Sequence, residues 1–312
     1  MDSFLISFNT IFPLFCYMSL GYFLWRISMV NDQAIATINK LAFNVFFPVL
    51  LFNNIYRTDI SEVIRPRVIL TLLVVTTSLY IASFFIIPLL EKDRAKQGSL
   101  IQGIYRGNFG LLGVPIGASL LGADNLGLTG IIMAIFIPYY NILSVVCFEV
   151  CGNVKPKPVE LCKRFLGNPF VISASLAIAV LLSGIQFPSA VRDCITGISN
   201  MITPLALIFL GAAFRFSRVG DNSRQLIIGV SGKLIFLPAI ALPVLIYMGI
   251  READLVPALV LLTAPPSIVS YPMAVRMGGD GELAGQLVVF SSSLSIITMF
   301  LWIFAMRSAG FI

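Results

Sequence analysis

The chain contains no histidine and little charge of either sign: 21 lysines and arginines and 15 aspartates and glutamates in 312 residues, 12% charged against 58% hydrophobic. A soluble domain carries about 25% charged residues, so this composition excludes a water-soluble core and points to an integral membrane protein. The missing histidine removes imidazole acid–base chemistry. With no Cys-x-x-Cys among the five cysteines (Cys16, Cys147, Cys151, Cys162, Cys194), no zinc site is expected either. No Walker motif is present, so ATP is not the driver, and no cofactor, metal or catalytic residue is called. Acids are missing from mid-depth of the apolar runs, with Glu149 and Asp124 at their ends. The net charge of +6 comes from basic residues scattered through short polar connections, which argues against a nucleic-acid partner.

What is present is length in apolar runs. A membrane helix needs roughly 17–25 predominantly apolar residues. By that measure the chain predicts ten spans, near 4–25, 34–55, 68–90, 98–121, 127–150, 169–186, 190–214, 226–249, 254–276 and 283–306. The first is too long for a signal-peptide core and lacks a small-x-small cleavage site, so it is read as a retained span. The connections are too short for a soluble domain, giving one transmembrane domain over residues 1–312. With the N-terminus outside, twelve lysines and arginines fall on the cytoplasmic side, among them Lys92, Arg94 and Lys96, and six fall outside, with Arg57, Arg65 and Arg67 dissenting. Cytoplasmic loops are enriched in these residues, so both termini are expected outside a plasma membrane.

Spans four and nine carry residues that stop helices. Gly107, Gly110, Gly113 and Pro115 interrupt the fourth; Pro265, Pro266 and Ser267, in Thr263-Ala-Pro-Pro-Ser-Ile-Val-Ser-Tyr-Pro272, interrupt the ninth. Proline removes a backbone hydrogen bond and clashes with the preceding turn, and in hydrocarbon the freed groups survive only against protein or a watery cavity. Each broken span is followed by a glycine/aspartate turn (Gly122-Ala-Asp124; Gly278-Gly-Asp280). Spans two and seven share Pro48-Val-Leu-Leu-Phe52 and Pro204-Leu-Ala-Leu-Ile-Phe209, each with an asparagine upstream, Asn39 and Asn200. Two maps to seven and four to nine. The expected fold is therefore all-α, ten transmembrane helices in a five-plus-five inverted repeat (about 1–150 and 165–312) with broken crossing helices, a transporter architecture.

Half-helix N-termini meeting at a crossing carry unpaired N–H groups and about half a positive charge each, which favours an anion such as a carboxylate. Asn108 and Ser270 lie beside the breaks and can hydrogen-bond a bound oxygen. In span five, Tyr140 and Asn141 of Pro138-Tyr-Tyr-Asn141 can line the cavity, and Phe47 with Pro48 can supply an apolar wall. Simple kinking for packing and interhelical hydrogen bonding explain the same residues one at a time. Lys233 and Arg106 are intramembrane charges, functional by default, yet near enough to the cytoplasmic boundary to snorkel out.

The run Asn108-Phe-Gly-Leu-Leu-Gly113-Val-Pro115 resembles the fourth-span motif of the auxin efflux carrier family. Asn39 to Pro48, Asn168-Pro169, Asn200 to Gly211 and Lys233 to Pro238 are similar to that family as well, so the likeness covers nearly the whole chain. The resemblance implies a ten-span fold like that of bile-acid and sodium–proton transporters, with a scaffold part and a mobile part moving as an elevator. It implies transport of small organic anions, such as auxin in plants or dicarboxylates in bacteria, with Asn108 and Pro115 at the first crossing and the span-five polar contact at or beside Asn141. Ser270 departs from the asparagine or proline common there. The compact length resembles a prokaryotic permease.

The expected function is a secondary carrier for a small carboxylate, with substrate-contacting candidates Asn108, Pro115, Tyr140, Asn141, Ser270, Phe47 and Lys233. A sodium-coupled organic-anion symporter of bile-acid type is the alternative, with Thr263, Ser267, Ser270 and backbone carbonyls as candidate oxygens. A membrane sensor lacks the signalling domain usually appended, and a channel lacks a continuous polar stripe. The oligomeric state stays open, a homodimer being one option.

Overall fold

A computed structural model describes residues 2–57, 65–122, 126–152, 163, 166–214 and 220–312, with the side chains of 2–11, 14, 114 and 115 left out. Asp124, Cys162 and the basic residues Lys155, Lys157, Arg164, Arg215 and Arg218 lie outside the described residues. The described residues are helical throughout apart from turns and one isolated bridge.

The helices are α1 (Asp2–Arg26), α2 (Asp32–Tyr56), α3 (Pro66–Leu90), α4 (Arg94–Tyr105), α5 (Phe109–Leu121), α6 (Gly127–Cys151), α7 (Pro169–Ser183), α8 (Ser189–Ala213), α9 (Gly220–Tyr247), α10 (Leu255–Thr263), α11 (Ser270–Met277) and α12 (Gly281–Ser308). Six of them (α2, α3, α6, α8, α9 and α12) are long and apolar enough to cross a membrane by length and composition. α5 and α7 are shorter apolar helices. α7 stops at Ser183, three residues before the expected end of its run, because Gly184 turns into the left-handed region (φ 69°) that ends helices.

Local sequence sets the ends. Asn31, Asp93, Asn168 and Asp280 each accept a backbone N–H from the first turn of the helix they precede, which satisfies a donor the helix leaves open. Gly122 and Gly278, which close the two interrupted segments, both have positive φ (85° and 80°), a conformation open chiefly to glycine. α2 and α9 each contain a π-turn, Ala42–Phe46 and Gly232–Phe236. In both, the residue before a proline (Phe47 before Pro48, Leu237 before Pro238) donates five residues back, to Ala42 or Gly232. Proline cannot donate and crowds the carbonyl four residues back, so a widened turn there is the local relief.

Packing sorts the helices into two groups. α1 lies along α8, and α2 lies against α7 and α8. The second group holds α3 to α6 with α9 to α12, with α10 on α5, α4 on α3 and α6, and α11 on α12. α1 also contacts α5 and α12, and α11 reaches α2, so the groups share a boundary. Close approach between α1 and α8 depends on glycine: a Cβ on Gly21 would sit 1.7 Å from the Ile208 carbonyl oxygen, and one on Gly211 would sit 2.0 Å from that of Met18. Small residues of this kind let membrane helices pack by van der Waals contact. The paired asparagines behave differently. Asn39 is buried and donates to the Tyr271 hydroxyl (3.3 Å), tying α2 to α11, whereas Asn200 is exposed.

Candidate functional site

α4 ends at Tyr105, and Arg106 leaves the helical region (φ −90°, ψ 106°). Helix resumes at Phe109 after Asn108. α10 ends at Thr263, and Ala264 is extended (ψ 139°), as expected of a residue before a proline. The two interruptions cross. Gly107 pairs antiparallel with Pro266, the Asn108 N–H donates to the Pro265 carbonyl (2.7 Å), and the Ser267 N–H donates to the Arg106 carbonyl (3.4 Å). Backbone groups freed by one break are thus satisfied by the other. Gly107 makes this approach feasible: a Cβ there would lie 2.7 Å from the Leu261 carbonyl oxygen and 3.2 Å from Lys233 Nζ.

The first interruption is narrower than its glycine and proline content suggests. It spans Arg106 to Asn108, while Gly110 and Gly113 lie in the first turns of α5 and the helix continues through position 115. The side chain of Pro115 is outside the description. Pro265, Pro266 and Ser267 all fall within the second interruption.

A cavity of about 160 Å³ opens beside the crossing, below the roughly 300 Å³ of the smallest drug-sized pockets. Both breaks contribute, Arg106 to Leu111 from one and Ser267 to Val269 from the other. Phe47 and Asn54 of α2, Phe136, Tyr140 and Asn141 of α6, Phe170 of α7 and Thr203 of α8 close it. Phe47 and Phe170 stack at 6.4 Å and form an apolar wall. The cavity therefore lies between the two helix groups.

Neither helix that starts at the crossing, α5 or α11, has a side-chain cap, and both begin there with positive dipole ends. In α11 the Ser270 N–H is taken by the Ser267 carbonyl (2.9 Å) and Pro272 has no N–H, so it is the first turn of α5, at the cavity wall, that offers donors. Asn108 lines the cavity as the N-cap of α5, and its carboxamide forms no hydrogen bond to the described residues. Asn141 is committed within the protein: its amide donates to the Ile137 carbonyl (2.8 Å) and its oxygen accepts from Arg106 Nη2 (2.8 Å).

The expected residues thus divide. Asn108, Tyr140, Asn141, Phe47, Gly110 and Ser267 meet at the cavity wall. Ser270 does not line it; it is buried one residue beyond Val269, with its hydroxyl unpartnered among the described residues. Lys233 lies behind the crossing, fully buried, its ammonium beside Gly107 and also unpartnered among the described residues. Both intramembrane cations are buried instead of snorkelling, Arg106 at 4% exposure and Lys233 at 0%. Arg106 belongs to the cavity wall, a placement its position just before the first glycine signalled only weakly. Thr203 and Phe170 were not legible as wall residues: Pro204 and Asn168-Pro169 beside them marked their spans, but nothing in the sequence shows that these distant spans face the crossing.

Residues 6–303 match the family model described as membrane transport protein. Among curated proteins, the chain is similar to an "Uncharacterized transporter" of Methanothermobacter thermautotrophicus, 24% identical with 96% of this chain and 98% of that protein covered. It is also similar to the "Putative malonate transporter" of Rhizobium meliloti, 22% identical with 96% of each chain covered. A third relative is the "Uncharacterized transporter MJ1031" of Methanocaldococcus jannaschii, 21% identical with 91% of this chain and 93% of that protein covered.

Proposed function

The chain belongs to the membrane transport protein family, that of the auxin efflux carriers, and from that premise we propose that it is a secondary carrier for a small carboxylate in the cell membrane. The observation that carries this reading is the hydrogen-bonded crossing of two interrupted helices at the wall of a small cavity, lined by the Asn108 side-chain carboxamide, which bonds to none of the described residues. The uncapped N-terminus of α5 beside that cavity supplies donors for a carboxylate, and no acid is buried among the described residues to compete. The malonate in the name of the Rhizobium relative makes a small dicarboxylate the first ligand to try.

The architecture is a five-plus-five inverted repeat of ten spans forming one transmembrane domain. Supporting this, the helix groups divide the halves alike: α1, α2, α7 and α8 hold the first two segments of each, and the remaining helices hold the last three. Both broken segments close on a positive-φ glycine. A cavity between two such groups suits elevator-type alternating access, in which one group carries the crossing past the other. Both termini lie outside, following the charge bias of the loops.

The test is thermal unfolding of the purified protein against mono- and dicarboxylates, with and without sodium. A ligand that binds only the native state stabilises it by about 2.7 kcal/mol at a hundred times its dissociation constant. A shift with malonate that disappears in Asn108→Ala is expected. A shift with sodium alone would replace the reading with a sodium-coupled one, and none with any anion would refute it.

A further inference from the structure

Among the described residues the buried charged side chains are Arg106 and Lys233, both cations; no aspartate or glutamate is buried. A charge held out of water needs a counter-charge or a full set of hydrogen bonds. Arg106 has neither among the described residues. Its guanidinium has five N–H donors, and its partners are the neutral Asn141 Oδ1 (2.8 Å from Nη2) and, from Nη1, Ser144 Oγ (3.1 Å) and Met273 Sδ (3.0 Å). Ser144 is in turn fixed by the Tyr105 hydroxyl (2.7 Å) and the Tyr140 carbonyl (2.7 Å). The guanidinium is therefore held rigidly at the cavity wall by acceptors that leave its charge uncompensated.

We propose that Arg106 is the anion-pairing residue of this cavity: its guanidinium binds the substrate carboxylate directly, and Asn141 Oδ1 holds the guanidinium in position when no anion is bound. The inference rests on the carboxylate reading above and adds the residue that enforces it. A planar fork of donors matches the two oxygens of a carboxylate, and the Asn108 amide lines the same cavity to take a remaining oxygen. The pair makes charge a condition of entry. An uncharged analogue of the same shape leaves the buried cation unpaired and is rejected, as sites built around a buried polar partner reject ligands that lack it.

The experiment is calorimetric titration of the purified full chain with malonate and with malonamide, its uncharged counterpart, for the wild type, Arg106→Lys, Arg106→Gln and Asn141→Asp. Wild type binds malonate and not malonamide. Arg106→Lys weakens malonate at least tenfold, because an ammonium keeps the charge and loses the fork, and Arg106→Gln abolishes the preference for malonate over malonamide. Asn141→Asp places a carboxylate against Arg106 from inside the protein, so it loses malonate binding while its unfolding temperature rises. This variant keeps the test open should Arg106→Gln fail to fold. Malonate binding retained in Arg106→Gln or in Asn141→Asp overturns the pairing and leaves the carboxylate reading standing. A wild type that binds malonamide as well as malonate overturns the carboxylate reading and the pairing together.

Discussion

At the scale of single residues, the interior is notable for charges that no sequence rule could place in depth. Lys233 lies about two turns inside its span, where burial and snorkelling to the boundary are both open. The structure buries it entirely and gives its ammonium no partner among the described residues. Replacing such a charge by an apolar side chain of similar volume is often neutral or stabilising. Lys233→Met is therefore expected to unfold at the same or a higher temperature than wild type while losing transport; unchanged transport would make the lysine a packing residue. Glu91, past the end of α3, is a second case, outside the spans. Burial pushes its carboxyl upward, but the backbone N–H groups of Asp93 and Lys92 and the Gln225 amide outweigh that, and its pKa is lowered. A lowered folded-state value adds stability above the ordinary carboxylate range, lost as pH falls through the folded value. For a half-buried group at the water-facing end of α3 the contribution, screened by solvent, is on the order of a few tenths of a kcal/mol. Glu91→Gln should unfold slightly below wild type near neutral pH and converge with it only once pH has fallen below the lowered folded-state value; a constant difference from neutral to acid pH would contradict the assignment.

At the scale of elements, the crossing depends on backbone contact that a methyl group would block. In Gly107→Ala the new Cβ meets the Leu261 carbonyl at 2.7 Å. Overpacking of this kind costs about 1–3 kcal/mol, and the predicted result is a protein that still inserts but unfolds earlier and no longer transports. Wild-type transport in that variant would mean that the segments do not cross closely. Gly21→Leu is expected to act on α1 and α8 instead, because its side chain would run into the Ile208 carbonyl; lower yield and lower unfolding temperature are the readouts. Much of the element scale was legible in sequence. Pro265 and Pro266 announced the second interruption, since proline removes a donor and biases the residue before it. The first was placed only approximately: Pro115 drew attention, yet the chain departs from helix at Arg106 to Asn108, where Gly107 meets the opposing backbone. A close approach between segments far apart in sequence leaves only a glycine as its trace, and glycines are many here. The π-turns of α2 and α9 were not legible at all, although both lean on a proline that was.

At the scale of the whole molecule, composition alone identified a membrane protein, because about half the usual charge and long apolar runs leave no soluble alternative. The division into two helix groups was not readable from any one residue; it follows from packing across the chain. That division puts the cavity at the boundary between α2, α7 and α8 on one side and the crossing with α6 on the other, where relative movement of the groups would carry a bound anion. The most direct test of a moving carrier is counterflow in proteoliposomes: vesicles loaded with unlabelled malonate, diluted into a trace of labelled malonate. The account predicts transient accumulation of label above the outside concentration, saturable, and absent with Gly107→Ala protein. Label that only equilibrates at the rate seen in protein-free vesicles, in preparations whose binding of malonate is intact, would mean that the protein holds its ligand without moving it.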